Sequence, residues 1–184
     1  MKIAALVGSS RKGSVNKQIA EFMAKRYAGN GKLTIEFVPI SDLPLYNQDN
    51  ELTPPPSVIE AKRIVAECEG VLIVTPEYNH SVPTLLKNAL DWFSRVDKVL
   101  VGKPVFIVGA SPGVLGTARA QMHLRQILNS PGIAAFTLPG NEVFINGVGE
   151  KLNADGELIH ESTVQHLDKL VDNFIGWSQR LKQQ

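Results

Sequence analysis

The sequence predicts a three-layer α/β sandwich: a five-stranded parallel sheet of order 2-1-3-4-5 with helices on both faces. Three observations predict it. Short apolar runs rich in β-branched residues alternate with longer segments whose apolar residues recur at helical spacing. The runs, above all Val71-Leu72-Ile73-Val74, are continuously apolar, as strands covered on both faces are. The alternation is strict, so the crossovers are right-handed and the sheet is doubly wound, with 2-1-3-4-5 the commonest small order.

In chain order, residues 3–7 form a buried first strand. With Met1-Lys2 this run has the look of a signal-peptide start, but it is short and meets Arg11 and Lys12 almost at once. From Ser14 onward, Val15, Ile19, Phe22 and Met23 share one helical face. Residues 33–38 are a weaker strand. Residues 42–57, with Thr53-Pro54-Pro55-Pro56, are a surface loop too long for a mere connector, and so a wall of a binding site or subunit interface. Ile59, Val65 and Cys68 mark a second helix on one face, residues 71–74 a strand, and Leu85, Leu86, Ala89 and Phe93 a third helix. Residues 105–108 are a strand, 118–128 a fourth helix, 133–138 a weaker fifth strand and 146–156 a second surface loop. Val164, Leu167, Val171, Phe174 and Ile175 mark a long final helix.

The 184 residues suit one domain over residues 1–184, and 43% hydrophobic with 20% charged residues is a globular composition. Nineteen Lys+Arg against eighteen Asp+Glu leave a net charge of +1, too little to hold nucleic acid or an anionic membrane by net charge. The lone Cys68 forms no internal disulfide and reads as a buried structural thiol, which suits a reducing compartment. No apolar stretch nears the roughly 20 residues that cross a bilayer, so no membrane insertion and a cytoplasmic location are expected. His160 and His166 lack a third ligand, so no metal site is expected, and no G-x-S-x-G elbow supports hydrolase chemistry.

In open α/β sheets ligands bind beyond the carboxyl ends of the strands, which directs attention to three loops. The first, Gly8-Ser9-Ser10-Arg11-Lys12-Gly13-Ser14-Val15-Asn16, leaves a strand and opens a helix. Free N–H groups and the positive end of the helix dipole make an anion site there, with Arg11 adding charge. A P-loop needs Lys and Ser/Thr directly after its second Gly, where Ser14-Val15 stands, and the dinucleotide pattern fails at Ser10. A terminal phosphate monoester remains; a Ser-capped polar turn is the plainer alternative. The second loop, Thr75-Pro76-Glu77-Tyr78-Asn79-His80-Ser81-Val82-Pro83, is stiffened by prolines and offers hydrogen-bonding groups and an aromatic to a flat heteroaromatic ring. It reads equally well as a rigid strand-to-helix connection. In the third, Ala110-Ser111-Pro112-Gly113-Val114-Leu115-Gly116-Thr117, two glycines permit close approach to the ring's other edge. Together the loops point to a phosphorylated planar cofactor, with flavin mononucleotide (FMN) the natural candidate.

The first loop resembles the G-S-x-R-x-x-S-x-N phosphate loop of the NADPH-dependent FMN reductases, and residues 76–83 resemble their flavin-ring motif. Leu86-Lys87-Asn88-Ala89-Leu90-Asp91-Trp92 is also typical of that family, and residues 118–128, Ala-Arg-Ala-Gln-Met-His-Leu-Arg-Gln-Ile-Leu, resemble a helix of its quinone and chromate reductase branch. The resemblance implies a flavodoxin-like fold. It implies that Ser9, Arg11, Lys12, Gly13, Ser14, Val15 and Asn16 hold the FMN phosphate, that Pro76, Glu77, Tyr78 and Asn79 bind the isoalloxazine, and that Ser111, Gly113 and Gly116 complete the pocket. It also implies a homodimer or homotetramer. Met122 departs from the branch, where some members carry a tyrosine in a subunit-subunit network with residues matching Arg119 and Glu142; a thioether is a weak acceptor.

The expected activity is transfer of electrons from NADPH or NADH through FMN to quinones or other small acceptors, among them flavins, azo compounds and chromate. No catalytic side chain is expected, because hydride transfer at flavin N5 needs no protein acid there, so the backbone of Glu77 matters more than its carboxylate. Arg11 or Lys12 is placed to influence the nicotinamide nucleotide. Two alternatives stand beside this reading: a flavodoxin-like electron carrier docking protein partners, which such carriers' acidity and Thr-rich phosphate loops disfavour here, and a non-catalytic flavin sensor.

Overall fold

The computed structural model describes residues 1–182. Its elements are Lys2–Val7 (β1), Val15–Gly29 (α1), Thr34–Phe37 (β2), Pro56–Glu67 (α2), Gly70–Val74 (β3), Thr84–Phe93 (α3), Pro104–Ala110 (β4), Ala118–Leu128 (α4), Phe136–Thr137 (β5), Val143–Ile145 (β6) and Glu161–Leu181 (α5). The strands pair in the order β2-β1-β3-β4-β5, all parallel, as the alternation of elements predicts.

The expected fifth strand differs. Only Phe136 and Thr137 pair there, opposite Pro104 and Val105, and β6 resumes the edge by setting Val143, Phe144 and Ile145 against Val108, Gly109 and Ala110. The interruption has a local cause. Gly140 turns the chain at φ +69°, and the buried Asn141 carboxamide donates from Nδ2 to the Leu170 carbonyl at 3.0 Å instead of continuing the ladder. A three-residue strand flanked by polar residues carries too little apolar pattern to be read from sequence.

Register sorts the core. Ala4 lies beside Val71 and Val71 beside Val105; these residues, with Leu6, Ile73 and Ile107, pack on one face against α2, α3 and α4. Their neighbours Ile3, Ala5, Leu72, Val74, Phe106 and Val108 pack on the other against α1 and α5, where Phe106 stacks on Phe174 at 5.3 Å. In α2 the buried face includes Val58, Ala61, Ile64 and Val65; Ile59, expected on it, is 55% exposed, because a separation of six residues from Val65 is well short of two full helical turns and takes it off that face. Cys68 caps this helix, buried as expected, and burial pushes its thiol pKa up.

The long loop after residue 42 packs on α3 rather than standing free. Asn88 accepts the Tyr46 N–H at 2.8 Å, while the Asn88 Nδ2 and the Trp92 Nε1 both donate to the Pro44 carbonyl at 2.9 Å. Tyr46 meets Trp92 edge-on at 5.2 Å. The loop from residue 146 holds one short 3-10 turn, Val148–Glu150, and buries Val148 and Leu158 under the α1/α5 layer. Among the described residues no helix is long and apolar enough to cross a membrane.

Candidate functional site

The chain leaves β1 for α1 on one face of the sheet and leaves β3 for α3 on the other. A crevice opens where neighbouring connections diverge in this way. The roots of the three loops are cross-bonded around it. The Gly8 N–H donates to the Val74 carbonyl and the Thr75 N–H to the Val108 carbonyl, both at 2.9 Å. A Cβ on Gly8 would stand 3.2 Å from the Thr75 Oγ1 and 3.3 Å from the Pro76 Cδ, so glycine lets the first two loops approach. The Asn16 Nδ2 donates to the Ala110 carbonyl at 2.9 Å and its Oδ1 accepts the Ala110 N–H at 3.0 Å, which ties the first loop to the third.

Between them lies a cleft of about 240 Å³. Its walls come from Ser9, Arg11, Ser14, Val15 and Asn16 of the first loop, Pro76, Glu77 and Tyr78 of the second, and Ala110, Ser111 and Pro112 of the third. Ser14 caps α1, accepting the Lys17 N–H on Oγ at 3.3 Å, which leaves its hydroxyl proton free to donate. The backbone N–H groups of Ser10, Arg11, Lys12, Gly13, Val15 and Asn16 donate to no partner among the described residues. These unpaired donors gathered at the positive end of a helix fit a phosphate, which would satisfy what the fold leaves open. Arg11 folds back, donating from Nη2 to the Gly13 carbonyl at 3.1 Å, so its charge stays beside the loop.

The second loop owes its stiffness to a turn as well as to its prolines. Tyr78 and Ser81 exchange backbone hydrogen bonds at 3.0 and 3.1 Å around Asn79 and His80, which both have positive φ, +49° and +62°. This is the pattern of a two-residue hairpin turn, in which asparagine tolerates the left-handed region better than most residues. Asn79 therefore shapes the turn and does not line the cleft. Ser81 Oγ and the His123 Nδ1 lie 2.9 Å apart, joining this turn to α4. The Glu77 carboxylate also faces α4: Oε2 accepts the Ala120 N–H at 3.1 Å and Oε1 lies 3.7 Å from Arg119. A negative charge at a helix start is favourable, and it leaves the Glu77 backbone to the cleft.

In the third loop the Ser111 Oγ accepts the Gly113 N–H at 3.0 Å, while the Ser111 N–H donates to the Ile145 carbonyl at 2.9 Å. Gly113 and Gly116 do not line the cleft. Gly116 has φ +55° and its missing Cβ would lie 2.9 Å from the Phe144 carbonyl carbon, so it is glycine for packing against β6. Lys12 and Gly13 open on a neighbouring cleft across the loop, to which Ser9 and Arg11 also belong. Sequence reasoning missed Ala110 and Pro112, and although it expected the backbone of Glu77 to matter more than the carboxylate, it did not foresee what the Asn16 and Glu77 side chains bond to. Their partners lie 94 and 43 residues away, a separation no local pattern reveals.

On α4, Met122 is 52% exposed; Arg119 pairs with Glu77 and Glu142 lies 3.7 Å from Arg125, both within the chain. Among the described residues no group of His, Cys, Asp or Glu is arranged to hold a metal ion.

Comparison with known proteins agrees with this geometry. The family model described as NADPH-dependent FMN reductase matches residues 1–150. The chain is 40% identical to a 2-hydroxy-1,4-benzoquinone reductase of Burkholderia, over 96% of each chain. It is 38% identical to the NADH:(hydroxy)cinnamate reductase subunit CrdA of Vibrio ruber, over 95% of this chain and 86% of that one. Among solved structures it resembles FerB, a flavoenzyme NAD(P)H:(acceptor) oxidoreductase of Paracoccus denitrificans, with a TM-score of 0.87, 35% identity and 97% of each chain covered.

Proposed function

This chain belongs to the NADPH-dependent FMN reductase family, an oxidoreductase family that uses FMN and NAD(P)H, and from that premise we propose that it passes electrons from NAD(P)H through bound FMN to quinones. The observation that carries the reading is the single cleft that the first loop, with its unpaired amides, shares with the second and third loops. We take residues 1–184 as one flavodoxin-like FMN-binding domain.

When bound, FMN supplies the ring that accepts hydride from the donor and returns electrons to the acceptor. The protein's part is holding and shielding. The amides of Arg11, Val15 and Asn16 and the hydroxyl of Ser14 would donate to the phosphate, and Arg11 would offset its charge. Pro76, Glu77, Tyr78 and Ser111, which line the cleft, would hold the ring. The turn at Asn79-His80 fixes Tyr78 at the mouth, where half of its surface is exposed and available to pack on ring or acceptor. No side chain is assigned an acid or base role, since Glu77 is committed to the start of α4.

Quinones are favoured because the Burkholderia relative is named for a benzoquinone and the FerB structure for an open class of acceptors. Flavins, azo compounds and chromate are further acceptors for the same cleft. Family membership sets the electron-carrier alternative aside, and the net charge of +1 with Arg11-Lys12 in the phosphate loop agrees. A reducing cytoplasm suits the single buried Cys68. A homodimer or homotetramer is supported by the open groove between α4, β5 and the end of α5, where Met122 and Phe136 lie half exposed; light scattering at working concentration tests it.

The experiment for the function is a steady-state panel on the purified FMN-loaded protein, with NADPH and NADH against quinones, flavins, azo dyes and chromate. Quinone-dependent oxidation of either donor is the expected result. Donor oxidation that appears only with a separate reductase protein contradicts the proposal.

A further inference from the structure

Across the first loop from the flavin cleft lies a second, larger cleft of about 550 Å³, with Ser9 and Arg11 on the ridge between the two. It opens beyond the carboxyl ends of β1 and β2, and its walls differ in chemistry from one side to the other. One side is cationic: Arg11, Lys12 and Lys17, with Ser10 and Ser41 beside them and Glu21 the only acid. Lys17 reaches Glu21 at 3.7 Å in a loose, exposed pair, and Lys12 makes no hydrogen bond or ion pair among the described residues. The other side is apolar, built by Val38, Ile40, Leu85 and Phe37, an aromatic 39% exposed at the end of the edge strand.

Three cations against one carboxylate, in a chain whose net charge is only +1, concentrate positive charge at this spot. A doubly charged phosphate monoester balances it, and an exposed aromatic next to such a group offers a face on which a purine base stacks. An adenine carrying a phosphate on its ribose presents both features. The flavin phosphate does not account for the cleft, because the amides of Val15 and Asn16 and the Ser14 hydroxyl open on the other side of the ridge.

We propose that this second cleft holds the 2′-phosphoadenosine end of NADPH, with Lys17 and Lys12 on the 2′-phosphate and Phe37 against the adenine, and that it makes NADPH the preferred donor. The assignment rests on the NAD(P)H-dependent reading above and adds to it the location and the residues that discriminate the donors. Ser41, the only polar side chain just beyond β2 to line the cleft, is neutral and does not repel a phosphate there.

The test is calorimetric titration of the purified protein with adenosine 2′,5′-bisphosphate, adenosine 5′-monophosphate and inorganic phosphate, followed by donor kinetics of Lys17→Ala and Phe37→Ala. The bisphosphate is expected to bind at least about tenfold more tightly than either of the other two, the scale of one lost charge-assisted hydrogen bond. Lys17→Ala is expected to raise KM for NADPH about tenfold with KM for NADH unchanged. Phe37→Ala is expected to raise both by a similar factor. Equal binding of the monophosphate or of inorganic phosphate, or equal effects of Lys17→Ala on the two donors, overturns the assignment. So does a Phe37→Ala protein with unaltered KM for both. The visible spectrum of each variant reports its flavin separately: unchanged flavin with no bisphosphate binding refutes the second cleft alone. Bisphosphate binding to a protein that takes up no FMN refutes the flavin reading alone.

Discussion

Asn16 holds Ala110 by both of its backbone groups, donating from Nδ2 to the carbonyl at 2.9 Å and accepting the N–H on Oδ1 at 3.0 Å. The pair is buried and spans 94 residues, so the start of α1 and the end of β4 are one rigid unit from which the first and third loops depart. Removing the carboxamide strands two buried backbone groups, each costing about 1–3 kcal/mol. Asn16→Ala is therefore expected to lower the stability of flavin-free protein by about 2–4 kcal/mol in urea unfolding. A group acting only as a phosphate ligand leaves that stability unchanged.

Gly116 sits at φ +55° against Phe144. Gly116→Ala adds a left-handed alanine, about 1 kcal/mol, to a contact that the Phe144 backbone cannot yield. The expected loss is about 2–4 kcal/mol of stability in flavin-free protein. A glycine needed only for cofactor approach leaves thermal unfolding of the flavin-free protein unaltered and weakens FMN binding alone.

The Glu77 carboxylate accepts the Ala120 N–H near the start of α4. Glu77→Gln keeps the hydrogen-bonding shape and removes the charge, so it is expected to cost about 0.3–1 kcal/mol of stability, reduced further by salt. If thermal unfolding at low and high ionic strength shows no such difference, the carboxylate is not serving the helix.

Asp168 joins α5 to α1. It accepts from the Arg26 Nε at 2.8 Å, from the Arg26 Nη2 at 2.6 Å and from the Tyr27 hydroxyl at 3.0 Å. The Arg26 hydrogen bonds hold its carboxyl below the usual aspartate range, with the Tyr27 hydrogen bond adding to them against a cost from burial. A carboxyl depressed in the folded state contributes stability above its unfolded value near 3.9, lost as pH falls through the folded value. Asp168→Ala is expected to cost about 1 kcal/mol at neutral pH and to flatten the fall in stability below about pH 4. An acid limb that parallels the parent protein's contradicts this.

What the sequence made legible follows the range of its signals. The five helices, the strand order and the three loops are written in local periodicity and in glycine and proline punctuation, and the helix over residues 118–128 matches to the residue. β6 was not legible, because Val143, Phe144 and Ile145 are strand only by virtue of β4 beside them. Within the cleft, Ser9, Ser14 and Pro76 were readable from their place in the chain. Asn16 and Glu77 were recognised as part of the site, Glu77 by its backbone, but the bonds their side chains make were not legible, since a side chain's choice among a ligand, a distant carbonyl and a helix end is settled by tertiary packing. Asn79 and His80 show the same limit: the loop's stiffness was visible, while the turn behind it depends on two backbone angles.

The central claim is that the amides opening α1 hold the phosphate of FMN, with the ring between the second and third loops. Fluorescence titration of flavin-free protein with FMN and, in parallel, with riboflavin tests it most directly. The account predicts saturation by FMN and binding of riboflavin weaker by about a hundredfold or more, the scale of several charge-assisted hydrogen bonds lost with the phosphate. Riboflavin binding as tightly as FMN, or no saturable binding of FMN, contradicts it.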